Sequence, residues 1–599
     1  MHHRSAASIC HAKRLVLISV LLATSASAQG SLSPRLQGIW GELAPDERIT
    51  AWVYLTDKGA REHMKARVPP DVVSQRSLRR RLKVRPPDQV VDATDLPVDE
   101  AYVGIIAEHV ERVRQRSKWF NGVSVEATRA QLEELRALPF VREIDLVTRF
   151  RRVDPPAPPA EEVAPVPPPT PGKPTAFDYG SSLNQVQQIN VVDHHTLGYD
   201  GSGVVVGHFD NGHRLLSHEV FAGMTILATW DFVDNDPDPA PDPWDPSGFG
   251  AHGILTLSVL GGFKEGDLIG PAFGATYLLA RTENDASETP LEEDNWVAAM
   301  EWADSIGVDV TSTSLAYLDY DPPFPSWTWE DMDGNTTVIT RASDMAAERG
   351  IVVVNSAGNS GSGPEPNTLL APADGDSVIT VGSVDSGGNR SGFSSVGPTV
   401  DGRIKPDVMA QGSGTKMALA TDTTSYGNGS GTSLACPLVA GTAALLLQAH
   451  PAATPMQIRD ALRSTANLST SPDNLMGWGI IDALAAHDHL STTDVTEPPV
   501  PTAYRLSRNF PNPFNPGTKI RYELPAPSHV TLHIYDVRGR LVRSLLATSQ
   551  PARVHEVDWD GLNDGGESVG SGTYFLRMRA VGLSGSRVFI DTRKLSVIR

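Results

Sequence analysis

Between residues 177 and 490 short β-branched runs alternate with helical periods. "GVVVGHF" (203–209), "ATYLLA" (275–280), "VDVTSTS" (308–314), "GIVVVNSA" (350–357) and "SVITVGS" (377–383) are continuously apolar, the pattern of strands buried on both faces. Between them "HGILTLSVLGG", "EEDNWVAAMEWADSIG" and "TRASDMAAERG" place apolar residues at helical spacing. The alternation predicts an α/β fold, a mostly parallel sheet with helices on both faces. In such sheets ligands gather where strands end.

The flanks read differently. Residues 29–153 give strand "ITAWVYL", basic run "RSLRRRLKVRPP", helix "EAYVGIIAEHVERVRQRS", strand "GVSVEAT", helix "TRAQLEELRAL" and strand "VREIDLV", a small α+β pattern. Residues 503–599 hold alternating strands such as "HVTLHIYDV" and "GTYFLRMRAV" between Gly-rich turns, which predicts an all-β sandwich. The proline-rich stretches 154–176 and 491–502 can join neither helix nor sheet ladder and read as linkers.

Length agrees, since 599 residues exceed what one core supports. The start, "MHHRSAASICHAKRLVLISVLLATSASAQ", has a basic end, an apolar run from Leu15 to Ala23 and Ala26-Ser27-Ala28, which predicts a signal peptide over 1–28. The run falls short of the ~20 residues a bilayer span needs, and no later segment is expected to span. Cys10 leaves with the signal, so Cys436 is the one cysteine of the exported chain and is read as a buried hydrophobe.

Charge is unevenly placed. Lys and Arg number 22 against 18 Asp and Glu over 29–153, but 11 against 40 over 177–490. So acidic a central segment argues against a nucleic-acid partner. The basic run "RSLRRRLKVR" accordingly reads as a solvated charge run or a processing loop.

Four residues stand just after a strand or at a helix start. Asp210 ends "VVVGHF", His252 opens "HGILTLSVLGG", Asn359 follows "GIVVVNSAG", and Ser433 opens the apolar run "SLACPLVAGTAALLLQ". Singly, they are a turn residue, a helix cap, a turn and an N-cap. Together they supply what acyl transfer needs. A neutral serine requires an imidazole to take its proton, and the imidazole requires a carboxylate to fix its tautomer. The resulting oxyanion requires donors fixed in advance, here the Ser433 amide at a helix N-terminus and the Asn359 side chain. A nucleophile elbow of the α/β-hydrolase kind needs a strand before the serine and a histidine after it. Residues 421–432, "TDTTSYGNGSGT", read as polar loop, and His252 would go unused.

"GTSLACPLVAG" resembles the serine motif of the subtilisin-like serine peptidases, with Leu434 in place of methionine. "FDNG", "AHGILTLSVLGG", "VVVNSAGNSG", "GPAFGATYLLAR" and "FSSVGPTVDGRIKPDVMAQG" resemble further blocks of that family, in family order over 178–485. The resemblance implies Asp210 as orienting carboxylate, His252 as general base and acid, Ser433 as nucleophile and Asn359 as oxyanion donor. It implies a protein or peptide substrate paired as an added strand near Ser314, Leu315 and Ala316 on one side and Ser356, Ala357 and Gly358 on the other. Departures are Ala316 for glycine, Gln411 for proline, and the polar "GHFD" where the strand is usually apolar. No cofactor is required for the chemistry and no metal ligand is assigned. The acidic loop 231–248 lacks the EF-hand pattern, and a structural calcium stays unassigned. By family analogy "RTENDASETPLEED" (281–294) borders the cleft, so Glu283, Glu292 and Glu293 are expected to favour basic substrate side chains.

Residues 29–153 resemble the inhibitor-like propeptides of the family. They are expected to act as an intramolecular inhibitor docked electrostatically and cut away between Asp154 and Phe177. The tail resembles the C-terminal sorting domain of type IX secretion and the immunoglobulin-like domain of flagellar hook-capping proteins, which implies secretion machinery as a partner. The expectation is a secreted or cell-surface serine endopeptidase made as a zymogen, with no membrane span after signal removal. A catalytically silent binding protein that keeps the fold is the alternative.

Overall fold

The computed structural model describes residues 30–149, 177–493 and 504–597, apart from 67, 88, 243–247, 288, 321–325 and, in the last segment, 508, 510–511, 513, 515–516, 527, 551–553 and 583–587. The expected signal peptide and most of both linkers lie outside the described residues. The chain divides into two compact units, 1–487 and 488–599.

After a short strand at Ser31–Leu32 and a helix at Pro34–Ile39, the first unit has strand β1 (Arg48–Leu55) and helix α1 (Gln75–Arg81), followed by α2 (Glu100–His109), β2 (Arg112–Ser117), β3 (Gly122–Thr128), α3 (Arg129–Arg136) and β4 (Val141–Arg149). The sheet runs Ser31–Leu32, β4, β1, β3, β2. Its core is Leu55, Ile106, Val123, Leu132 and Ile144 with their neighbours. Two expectations fail here. "EAYVGIIAEHVERVRQRS" is a helix only to His109; Arg112–Ser117 then pairs with β3 as an edge strand. The basic run is the helix α1, capped by the Ser74 side chain on Ser77 N–H. Its Arg80 and Arg81 are 2% and 0% exposed, the opposite of a solvated run.

The second sheet has seven strands: β5 (Val205–Asp210), β6 (Thr225–Asp231), β7 (Thr276–Arg281), β8 (Val310–Thr313), β9 (Val352–Ser356), β10 (Ile379–Val384) and β11 (Val408–Gln411). They run in the order β11-β10-β9-β8-β5-β7-β6, and every ladder is parallel. Helices α4 (Ala251–Gly261), α5 (Leu291–Ile306), α6 (Val338–Ala347), α7 (Thr432–Ala449) and α8 (Pro455–Thr465) belong to the same unit. Each residue of β5 is buried, as the continuous apolar pattern requires. Phe209, Leu278, Trp296 and Val353 share one core, and Trp119 of the β2–β3 turn inserts into it. Helix α7 is apolar and long enough to cross a membrane by composition, which the expectation of no further span missed; 83% of it is buried inside the unit.

Residues expected to be loop before Ser433 form strand β13 (Tyr426–Ser430), antiparallel to β12 (Ser413–Ala418). Polarity misled the expectation. Backbone pairing carries this hairpin, and a Cβ at Gly429 would sit 2.6 Å from the Met417 methyl. It is not part of the parallel sheet, so it does not make a nucleophile elbow.

The second unit places β14 (Thr518–Glu523) and β17 (Val554–Trp559) in one sheet, and β15 (Ser528–Asp536), β16 (Leu541–Gln550), β18 (Gly572–Gly582) and β19 (Val588–Val597) in another. Trp559, Tyr522, Leu532 and Leu576 share its core. The alternating burial along β15 is the period of two expected of a half-buried strand.

Candidate active site

Asp210 is the last residue of β5 and is fully buried. Its Oδ1 accepts Asn211 N–H at 2.8 Å and faces His252 Nδ1 at 2.7 Å. Asn211 also fixes the helix that carries His252, its side-chain oxygen accepting Gly253 N–H at 3.0 Å. Glycine at 253 is a spatial requirement: a Cβ there would lie 2.1 Å from Gly212 O. Burial alone would raise the Asp210 carboxyl. The charge and hydrogen bond of His252, with His208 and the Asn211 amide, outweigh it and hold the group well below the ordinary carboxylate range. An ionised carboxylate only accepts, so Nδ1 carries the proton and Nε2 keeps its lone pair. The His252 side chain is 34% exposed, open to a reactant.

Ser433 is the second residue of α7. Pro437 lies inside that helix and cannot donate to the Ser433 carbonyl four residues back. Ser314 Oγ fills the vacancy, donating to Ser433 O at 2.8 Å. Asn359 Oδ1 accepts both the N–H and the hydroxyl of Thr432 at 2.9 Å. That fixes the amide, and its nitrogen turns towards the serine. A Cβ built on Gly431 would lie 2.8 Å from Ser433 Oγ and 3.7 Å from Asn359 Nδ2, so hydroxyl and amide border one small space. The amides of the first helical turn have no carbonyl four residues back to bond. These residues therefore offer an ionised carboxylate against an imidazole, and a hydroxyl at a helix N-terminus beside an oriented amide donor.

Of the expected substrate contacts, Ser314, Leu315 and Ala316 follow β8 and are partly exposed. Leu315 O is held by Asn355 Nδ2 at 3.1 Å. Ser356 and Ala357 are buried, 2% and 0% exposed, and Ala357 N–H is used on Val381 O at 2.9 Å. Gly358 is buried too, with φ +106°, and its carbonyl accepts Ser395 N–H. The side chains at 356 and 357 are thus enclosed, which leaves backbone as what this segment can present.

The acidic segment also differs from expectation. Glu292 and Glu293 are 1% and 2% exposed. Glu292 accepts Thr289 N–H at 2.6 Å; Glu293 accepts Trp327 Nε1 at 2.7 Å and the Tyr320 hydroxyl; Glu283 accepts the Tyr317 hydroxyl. Glu283 and Glu293 are thus built into the loop after β8, and Glu292 ties down the segment before α5, where Asn284 and Thr289 N–H donate to it. Loop 231–248 is anchored by Arg281, 2.9 Å from Asp231 and 2.7 Å from Asp234. Among the described residues no group of three or more His, Cys, Asp or Glu is arranged to hold a metal ion. Cys436 is buried and its thiol pushed up to about 12 by burial, as fits a packing residue.

Sequence reasoning missed the helix α5 as a docking face. Its Asp294 accepts Trp52 Nε1 and Ser124 Oγ, each at 2.5 Å; its Glu301 accepts Ser117 Oγ, Lys118 N–H and Trp119 N–H. Asp304 accepts Arg80 and Arg81, and Arg81 also makes a bidentate pair with Asp95. The signal was present as three helically spaced acids, but only the fold shows what faces them.

The subtilase family profile matches residues 201–479. Subtilisin DY of Bacillus licheniformis is 34% identical over 290 residues, 48% of this chain and 92% of that protein. The chain belongs to the subtilase family. Subtilisin E of Bacillus subtilis is 33% identical over 313 residues, covering 52% of this subtilase and 73% of its own length. Over 95% of the chain the fold resembles fervidolysin from Fervidobacterium pennivorans, with TM-score 0.52, 20% identity and 79% of that chain covered. A peptidase S8 propeptide domain of Bacteroidota matches residues 50–161, and a FlgD Ig-like domain matches 512–583. The subtilase is thus a serine peptidase with a propeptide and an immunoglobulin-like tail.

Proposed function

We propose that this subtilase is an exported endopeptidase that cleaves peptide bonds through an acyl-enzyme, with Ser433 as nucleophile. The observation that carries the reading is the 2.7 Å contact of His252 Nδ1 with buried, ionised Asp210. It leaves Nε2 as the base in a group open to substrate. Ser433 Oγ attacks the scissile carbonyl while His252 Nε2 takes its proton. Asp210 stabilises the imidazolium. The oxyanion receives the Asn359 amide and the Ser433 N–H, both fixed before the reaction begins. His252 then protonates the leaving amine, and a water repeats the sequence in reverse to free Ser433. Substrate backbone lies along the partly exposed residues 314–316.

The precursor is read as a signal peptide at 1–28, a propeptide at 29–153, a catalytic domain at 177–490 and a sorting domain at 503–599. The propeptide inhibits by docking on α5 and placing its tail in the cleft, until self-cleavage within 154–176 releases it. The tail is read as a type IX sorting signal; removing 503–599 should leave the protein inside the cell envelope, and normal release of that truncated chain would refute the sorting role. For the chemistry, a fluorophosphonate should label the matured enzyme and fail on Ser433→Ala. New N-termini within 154–176 should appear on incubating the wild-type precursor and not the variant. Equal labelling of both proteins would refute the assignment.

A further inference from the structure

This inference rests on the triad just assigned and adds residues to it. His208 stands two positions before Asp210 on β5, hence on the same face, and His213 lies beyond the turn; each is 1% exposed. Buried imidazoles need partners for their polar atoms. His208 Nδ1 is 2.9 Å from His213 Nε2, and His208 Nε2 is 3.0 Å from Thr256 Oγ1 on α4. Thr256 Oγ1 in turn lies 2.9 Å from Asp210 Oδ2, the oxygen opposite the one that faces His252.

Proton positions follow from the end that cannot donate. Asp210 only accepts, so the single Thr256 proton goes to Oδ2 and the Thr256 oxygen accepts from His208 Nε2–H. Burial lowers His208 to about 4 and His213 to about 3, so both are neutral near pH 7 and each carries one N–H. His208 Nδ1 is then an acceptor, and His213 must donate its Nε2–H. That leaves a bare lone pair at His213 Nδ1, which is buried without a hydrogen-bond partner. The reverse direction would strand a buried N–H there and aim a Thr256 lone pair at the carboxylate. It loses on both counts.

We propose that His213, His208 and Thr256 are positioning residues, a one-way donor chain that fixes Asp210 Oδ2 and tempers the charge it shows to His252. Without His208, the Thr256 hydroxyl is free to turn to His252 O, 3.1 Å away. Asp210 then holds the protonated imidazole more tightly, and His252 becomes a base only at higher pH. The other titratable groups near Asp210 are Asp285, which accepts Asn211 Nδ2 and Gly250 N–H, and the buried Cys436 thiol.

The test is the pH profile of kcat/KM for the enzyme matured from the full chain, using a quenched-fluorescent peptide. His208→Leu should move the acidic limb up by about half a pH unit and lower kcat about threefold at unchanged KM, the scale of one neutral hydrogen bond. His208→Gln keeps an N–H where Nε2 was and should restore the limb. Thr256→Val and Thr256→Ser form an independent pair, the first shifted and the second not, in case His208→Leu fails to fold. Active wild type with unshifted limbs in His208→Leu and Thr256→Val overturns the chain alone, as does equal loss in His208→Leu and His208→Gln. Wild type that neither cleaves the peptide nor takes fluorophosphonate overturns the triad assignment and the chain with it.

Discussion

Docking of the N-terminal domain on α5 should be tightest near pH 4 and weaken towards pH 7. Asp294 sets the slope. Burial between Trp52 and Ser124 pushes its carboxyl up to about 7, beyond what their two hydrogen bonds recover. With the domain gone, Asp294 is an ordinary carboxylate of pKa ~4. A group raised on binding favours the protonated complex. Its contribution is full below the free value and is lost as pH climbs to the bound one. The limit is tenfold per pH unit over three units, about 10³ or ~4 kcal/mol. Glu301 is also raised by burial and acts in the same direction. Asp304 opposes it: burial raises its carboxyl, but Arg80 and Arg81 outweigh burial and hold it at about 2. Its contribution is full above ~4 and is lost between about 4 and 2. The two slopes meet near pH 4.

The measurement uses Ser433→Ala cut at a protease site introduced within 154–176, so that the domain remains as a non-covalent partner. Dissociation constants from pH 3 to 8 should pass through a minimum. Asp294→Asn keeps an uncharged group that can accept from Trp52, and should bind tighter than wild type at pH 8 with a flatter slope from 4 to 7. Affinity that is constant or rising from pH 4 to 7, or an Asp294→Asn profile matching wild type, would refute the reasoning.

Arg81→Met leaves Asp304 and Asp95 short of a buried cation and should weaken docking by about 3–5 kcal/mol, read by the same titration. Because Arg80, Arg81 and Asp304 are at most 1% exposed by side chain, raising salt from 0.05 to 0.5 M should weaken the complex less than tenfold. Asn359→Ala should lower kcat by ~10²–10³ with KM little changed in peptide hydrolysis, a range set by the equivalent change in subtilisin itself. Gly253→Ala drives a methyl onto Gly212 O at 2.1 Å; it should lower Tm by several degrees and kcat/KM at least tenfold, since the clash sits between Asp210 and His252.

The sheet was legible because parallel strands buried on both faces leave uninterrupted apolar runs; four of the five expected strands overlap residues that are buried throughout, from Val205–Asp210 to Ile379–Val384. The four polar residues were legible because they stand at the ends of those runs. What escaped was set by partners distant in sequence. Arg80 and Arg81 look solvated until Asp304, more than 220 positions away, is brought beside them. Glu293 looks like a cleft carboxylate until Tyr320 and Trp327 enclose it. The strand Tyr426–Ser430 has no apolar signature because its pairing with Ser413–Ala418 is by backbone. Local pattern records burial, not which polar group answers which.

The acidic surplus of residues 177–490 therefore has more than one destination, and helix α5 shows the division. At its start Glu292 accepts Thr289 N–H from the segment before the helix, and Glu293 accepts Trp327 Nε1 from the loop that follows β8. Asp294, Glu301 and Asp304, at positions spaced by seven and three, lie along one stripe and accept hydrogen bonds from the N-terminal domain. Those three are costly to bury, and the N-terminal domain supplies the donors and cations that offset the cost. Part of the acidity of residues 177–490 is thus one half of an interface with the N-terminal domain. The same arrangement explains why the N-terminal segment is basic where it matters, at Arg80 and Arg81, although its overall excess of cations is small.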